Sequence, residues 1–180
     1  MQEIETKVLE VEKELIEKNL ITLGAKEIQN TRLVVDWYGP KGLTHDGDDP
    51  WFLRIRTYSD GKSEVTLKTI IGVLGVSREC KEVNFTVSDP QQAGYLLEDL
   101  NLEKYAHQEK DRVSWKLNNM QFDLDTYPGM PSYLEIEAGS EKEITEMIEK
   151  LNLEKNATWN DGERTLIKGK YKIDWFNMRF

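Results

Sequence analysis

The chain has 180 residues, of which 38% are apolar and 32% charged, with a formal net charge of −9. That length holds one domain with a sizeable core, and five Trp, seven Tyr and five Phe exclude a disordered chain. The acidic balance argues against duplex nucleic acid or an anionic membrane as the main partner, because both need a basic footprint.

Along the chain, residues 3–8 alternate Glu3, Glu5 and Lys7 with Ile4, Thr6 and Val8, the period-two signature of a strand. Residues 11–23 then carry Leu15, Ile16, Leu20 and Leu23 on one helical stripe, with Gly24 as the stop. Strands are predicted over 33–38, 52–58, 63–70 and 78–87, and Asp60-Gly61 is a hairpin signal between two of them. Residues 42–50, GLTHDGDDP, read as a polar loop. Ser88-Asp89-Pro90 caps a second helix bearing Ala93, Leu96, Leu97 and Leu100. Strands follow over 105–117, 120–126 and 133–138, with Asn118-Asn119 as a turn. A third helix starts at Ser140, with Glu143 at capping-box spacing and Ile144, Met147, Ile148 and Leu151 on its apolar face. Beyond Asp161 the pattern allows a short helix over 162–168 and then an aromatic tail.

Several function classes drop out early. Cys80 is the one cysteine, so neither an internal disulfide nor a cysteine-based zinc site is available. The opening MQEIETK has no apolar leader core, and the longest apolar run, near 70–76, is too short to cross a bilayer. A cytoplasmic protein, one domain over 1–180, is expected. His45 and His107 read as surface or structural residues. The five Trp read as core or rim, with stacking on a ligand ring as the minority role.

The polar faces of the strands carry charge rather than Ser, Thr or Gln. The acids are Glu3, Glu5, Glu82, Asp123, Asp125, Glu135 and Glu137; the bases are Lys7, Arg54, Arg56, Lys68, Arg78, Lys110 and Arg112. In one strand this would be a solvated face with ion pairs worth about 0–1 kcal/mol. Repeated over seven strands, it points to an enclosed interior. Eight strands suffice to close a barrel, and three amphipathic helices can cover its apolar outside. The predicted fold is therefore α+β, a closed eight-stranded antiparallel barrel with helices packed outside. A charged interior suits a polyanion with hard divalent cations, since Arg and Lys hold phosphate oxygens and clustered carboxylates hold Mg²⁺ or Mn²⁺.

Glu3-x-Glu5-x-Lys7, LRIR at 53–56, VTLK at 65–68, Arg78 with Glu82, Lys110-x-Arg112, Asp125 and LEIE at 134–137 stand in one order. That order resembles the CYTH superfamily, the triphosphate tunnel metalloenzymes, over roughly residues 2–138. The resemblance implies a tunnel within an eight-stranded barrel. It implies triphosphate binding by Lys7, Arg54, Arg56, Lys68, Arg78, Lys110 and Arg112, joined by Lys168 or Lys170 near the C-terminus. It implies Mg²⁺ or Mn²⁺ held by Glu3, Glu5, Glu82, Asp125, Glu135 and Glu137. Glu3, Glu5, Lys7 and Glu137 would serve the reaction directly. Cys80, beside Glu82, departs from an otherwise charged face.

Three functions fit these residues. The leading one is a metal-dependent triphosphatase acting on inorganic triphosphate, thiamine triphosphate or ATP. The second is a class IV-type adenylyl cyclase, which would make cyclic AMP and pyrophosphate from ATP. The third is a non-catalytic polyphosphate- or nucleotide-binding module, against which the four retained glutamates Glu3, Glu5, Glu135 and Glu137 argue. Members of the superfamily are often homodimers, and no segment of this sequence marks an interface.

Overall fold

A computed structural model of the chain describes residues 2–43, 45 and 51–180, with Gln2 and Glu3 described at the level of the backbone. In chain order the elements are β1 (Gln2–Val8), α1 (Lys13–Thr22), β2 (Lys26–Pro40), β3 (Trp51–Tyr58), β4 (Ser63–Leu74), β5 (Ser77–Val87) and α2 (Pro90–Asp99). Then come β6 (Leu102–Leu117), β7 (Met120–Thr126), β8 (Tyr133–Ala138), α3 (Glu141–Lys150), β9 (Thr158–Trp159), α4 (Glu163–Thr165) and β10 (Asn177–Met178). The predicted 162–168 helix is α4 continued by a π-helical turn, Leu166–Tyr171. The two-residue strands β9 and β10 escape period-two reading because they are too short to show a period. Among the described residues no helix is long and apolar enough to cross a membrane.

The ten strands of the described residues form one sheet with the order β10-β6-β2-β3-β4-β5-β1-β8-β7; β9 pairs with β1 off this path, and β7 also pairs with β6. Eight strands therefore pair in an unbroken ring, every neighbour antiparallel. Strands β2 and β6 extend beyond the predicted spans, to 15 and 16 residues. Their polar ends hide the alternation, and pairing with each other completes them.

Helices α1, α2 and α3 lie on the outer face of the ring. Val8, Phe122, Leu124, Leu134 and Ile136 point outward from β1, β7 and β8 into Ile16 and Leu20 of α1 and Ile144, Met147 and Ile148 of α3. Ser140 caps α3 by accepting from the Glu143 amide, and Asp89 caps α2 by accepting from the amides of Gln91 and Gln92. Helix α2 touches the ring through Ala93 and Leu97 against Ile55 and Val65. Leu96 and Leu100, predicted for the same face, are 60% and 65% exposed, and Leu15 of α1 is 49% exposed. A sheet that closes into a ring curves away from a straight helix, so each helix meets it along a narrow stripe and the flanks of the predicted apolar face stay in water.

The C-terminal stretch turns back into the ring. Leu166, Ile167 and Trp175 pack with Leu33, Val35 and Trp37, whose side chains point inward from β2. One sector of the interior is thus apolar and filled by the chain's own tail.

Candidate functional site

The remaining interior is charged, and register explains which residues meet there. Directly opposed residues of antiparallel strands share a face. Lys7 faces Glu135, Glu135 faces Asp123, and Asp125 faces Arg112. Around the other side Glu5 faces Arg78, Lys68 faces Glu82, and Arg54 faces Thr66. Strand alternation alone brings these residues, separated by up to 130 positions, into one enclosed space.

Most of these charges are paired. Lys7 Nζ lies 2.9 Å from Glu135 Oε2. Glu5 accepts from Lys68 Nζ at 2.6 Å and from the Arg78 guanidinium at 2.6 Å. Arg112 reaches Asp123 at 2.6 Å, both oxygens of Asp125 at 2.6 Å, and Glu135 at 3.8 Å. Lys110 donates to Asp125 and to Glu163, each at 2.8 Å. Arg56 pairs with Glu64 at 2.7 Å, and Glu82 stands 3.8 Å from Lys68. Lys7, Glu5, Lys110 and Asp125 are all buried to within 2% of full enclosure.

Such burial is costly unless the groups answer one another. Burial pushes the Glu5 carboxyl up, and Lys68 with Arg78 more than offset that, holding it at about 2. Burial also raises Glu135, yet Lys7 and Arg112 hold it well below the usual carboxylate range. Glu163 follows the same pattern, with Lys110 as the main opposing cation. Burial moves the phenols of Tyr127 and Tyr133 well up, with Glu163 and Asp125 adding to the shift. Both therefore act as neutral donors: Tyr127 to Glu163 at 2.7 Å, and Tyr133 with its single proton shared between Glu163 at 2.8 Å and Asp125 at 3.0 Å.

A cavity of about 310 Å³ opens into this network. Arg54, Lys68, Arg78, Arg112 and Glu135 line its charged part, and beside them Trp37, Phe52 and Trp175 line an aromatic one. Residues 161–165 close a third side. Among the described residues two donors at the charged part have no hydrogen-bond partner, Arg54 Nε and Arg78 Nη1. Among the described residues Arg54 forms no ion pair; its guanidinium lies 5.4 Å over the Trp37 ring. A buried donor without an acceptor is costly and marks a place for an external one.

Of the predicted site residues, Glu5, Lys7, Arg54, Arg56, Lys68, Arg78, Glu82, Lys110, Arg112, Asp123, Asp125, Glu135 and Glu137 all stand on inward register positions. The Glu3 side chain lies outside the described residues, as do Asp46, Asp48 and Asp49 of the polar loop. Lys170 stands apart from the cavity. It pairs with Glu10 at 3.0 Å on the surface, because the π-helical turn points it away from the ring. Lys168 lies over the Phe176 ring.

His45 is a correction to the sequence reading: it is 7% exposed, not a surface residue. Its ring stacks on Tyr105 with centroids 3.9 Å apart, and its carbonyl accepts from Arg164. Gly39 makes this possible, since a Cβ there would collide with the imidazole. His107 is structural, bonded through Nδ1 to Asp36 at 2.7 Å.

Four participants were missed. Glu64 shares parity with Thr66 and Lys68, and Tyr133 shares parity with Glu135, so the strand pattern contained both. Glu163 and Arg164 carry no such signal. They sit in a stretch without periodicity and reach the cavity only because the tail folds back.

The CYTH domain profile matches residues 1–163. No curated protein sequence matches the chain. Among solved structures, the PH1012 protein of Pyrococcus horikoshii is 28% identical, with 84% of this chain and 91% of that one covered and a TM-score of 0.72. A candidate adenylate cyclase of Vibrio parahaemolyticus is 14% identical over 92% and 97% of the two chains, with a TM-score of 0.71. HpAC1 of Hippeastrum, a candidate adenylyl cyclase with a dominant triphosphatase activity, is 13% identical over 95% of both chains, with a TM-score of 0.63.

Proposed function

This chain belongs to the CYTH domain family, and from that premise we propose that it hydrolyses a small triphosphate inside its strand ring. The ring is read as a barrel and its charged interior as a tunnel for the phosphate chain. The observation that carries this reading is the pair of guanidinium donors without a partner among the described residues, Arg54 Nε and Arg78 Nη1, on the lining of the cavity inside the ring. Two further cations, Lys68 and Arg112, share that wall. Such a wall matches the oxygens of a polyphosphate and gives them directional donors.

Phosphoryl transfer asks the protein mainly for positioning and charge neutralisation. Arg54, Arg78, Lys68 and Arg112 would hold and align the chain. Glu5 fixes Lys68 and Arg78 from behind, and Asp125 with Asp123 fixes Arg112, so the donors are set before substrate arrives. Water attacks the terminal phosphorus, and a pyrophosphate or diphosphate ester leaves with inorganic phosphate.

Divalent-metal dependence, Mg²⁺ or Mn²⁺, is part of the proposal. The interior supplies hard carboxylate oxygens, the right chemistry for these ions. Among the described residues no three carboxylate, imidazole or thiolate groups stand together as a ready cage. An ion held by one or two carboxylates and completed by substrate phosphates needs no such cage. Asp125 is already engaged by Arg112, Lys110 and Tyr133. Glu137, with Glu5 directly opposed to it across β1 and β8, would supply those one or two carboxylates, Glu5 giving up part of its bonding to Lys68 and Arg78 for the ion. When bound, the ion would neutralise phosphate charge and acidify a water molecule.

The test offers tripolyphosphate and ATP in parallel with Mg²⁺ or Mn²⁺ and follows phosphate and cyclic AMP together. Phosphate without cyclic AMP supports hydrolysis. Cyclic AMP from ATP replaces it with the cyclase reading, which uses the same cavity. Binding of either compound without turnover leaves a binding module. Arg54→Ala, which breaks no ion pair among the described residues, should lower kcat/KM at least about tenfold with an unchanged melting temperature. Parent-like kinetics would remove Arg54 from the site.

A further inference from the structure

Helices cover the outside of the ring unevenly. Helix α3 packs on β1 and β8, and α2 packs on β3 and the near side of β4. Between them lie the outer faces of β4 and β5. Leu67 opposes Val83 there, and Val65 opposes Phe85. Val65 is buried under α2, but Leu67 is exposed, and Val83 and Phe85 keep 50% and 56% of their surface in water. Among the described residues no hydrophobic cluster takes these three in. Neighbouring strands stand about 4.8 Å apart, so two of them make a groove about 10 Å wide, the diameter of one helix.

Beside that groove α2 stands as a ridge, and its rotation is fixed. A Cβ on Gly94 would lie 2.7 Å from Tyr38 Oη, so that flank of α2 faces β2. Ala93 and Leu97 point down onto the sheet. At 3.6 residues per turn, Leu96 and Leu100 fall on the other flank. The strand order β2-β3-β4-β5 puts the open groove on that side. An exposed apolar ridge and an exposed apolar groove of the same width thus lie side by side.

Such a surface is complementary to itself. Turning a second copy about an axis parallel to α2 sets each ridge into the other's groove, as an isologous contact requires. The two α2 helices then run parallel, and Leu96 and Leu100 meet their own counterparts. With Tyr95, the exposed side chains of ridge and groove present on the order of 500 Å² of apolar surface per copy. A polar rim brings that within reach of the roughly 800 Å² per partner of a stable complex.

Charge favours the same occupant. Helix α2 leaves β5 at Val87 and ends before Leu102, which pairs with Pro40. Register carries the level of Tyr38 through Leu53 and Leu67 to Val83, so the last turn of α2 ends near Val83 and Lys81. That turn carries Glu98 and Asp99 and no basic residue, an unfavourable sign at a helix C-terminus. Lys81 is the next outward residue on β5 and is exposed. Parallel packing keeps this level, so Asp99 of each copy comes over Lys81 of the other.

We infer that this face seats a second copy of the chain, with α2 of each protomer in the β4–β5 groove of the other. These residues point away from the ring interior, so the interface stands apart from the triphosphate reading.

Sedimentation of the full chain across micromolar concentrations reads the outcome. The expected species is a dimer of the 21.0 kDa chain. Leu96→Glu with Leu100→Glu, both at exposed positions, should raise the dissociation constant at least about a hundredfold with an unchanged circular dichroism spectrum. Lys81→Glu or Asp99→Lys alone should weaken the dimer about tenfold, and the two together should restore it. Under mild oxidation Leu96→Cys should link two chains through a disulfide, whereas Leu15→Cys on α1 should not; Cys80 is fully buried and stays out of the reaction. A monomer at every concentration overturns the inference and gives the face to a different protein. A dimer unmoved by the two glutamates, or linked as readily from position 15 as from 96, overturns it by placing the contact elsewhere. A charge swap that fails to restore the dimer overturns the parallel arrangement.

Discussion

Two buried regions of this protein are built from the same strands and have opposite chemistry. Outside the ring, Phe122, Leu124, Leu134 and Ile136 are fully enclosed under α1 and α3. Inside it, one residue along in each strand, Asp123, Asp125 and Glu135 meet Arg112 and Lys7. The outer cluster gains stability simply by leaving water, at roughly 25 cal/mol per Å². The inner one gains little, because desolvation offsets the attraction between its charges. A fold that only needed stability would fill the interior with apolar residues, as this chain does in the sector taken by its tail. The charged sector is the part that function explains.

The comparison can be broken from the inside most severely. Arg112→Met removes the bidentate partner of Asp125, which has no exposure and keeps only Lys110 and Tyr133 among the described residues, and removes a partner of Asp123. Urea denaturation should show a loss of about 3–5 kcal/mol, and a loss under about 1 kcal/mol would mean that the interior network relaxes freely. From the outside, Leu134→Ala should cost about 3 kcal/mol, while kcat per folded molecule stays near the parent value.

Acid separates the regions next. Glu5 has a folded-state value of about 2 against an ordinary 4.5. A depressed carboxyl contributes stability above its unfolded value and loses it as pH falls toward the folded one. Stability should therefore drop between about pH 4.5 and 2, by on the order of 2–3 kcal/mol from this group. Glu5→Gln should flatten that limb, whereas Leu134→Ala should shift the whole curve without changing its slope. At the small end, Lys142→Ala removes an exposed i,i+4 pair with Glu146, 3.7 Å apart. A change in melting free energy above about 0.5 kcal/mol would show that surface charge matters here more than its screening allows.

Much of this was legible in the sequence. Alternation in β1, β7 and β8 separates the two faces residue by residue, and Ser140 and Asp89 announce the starts of α3 and α2. Parity also carried Glu64 and Tyr133, for whoever followed it from Lys68 and Glu135. Other features had no local signal. Lys170 and Glu163 are both charged residues in an aperiodic tail. Only the path of the chain sends Glu163 to Lys110 inside the ring and Lys170 to Glu10 outside. His45 sits in a polar loop, and its burial depends on Tyr105, sixty positions away, and on the space left by Gly39.

By itself, then, the sequence determined the strands, their faces and the family, because a two-residue period and the order of charged motifs are local properties. The tertiary structure decided which charges answer one another and which are left without partners. It also decided that the tail fills one sector of the ring and that an aromatic wall stands beside the cationic one. Those outcomes depend on ring closure and on contacts between residues more than a hundred positions apart, which no window along the chain contains.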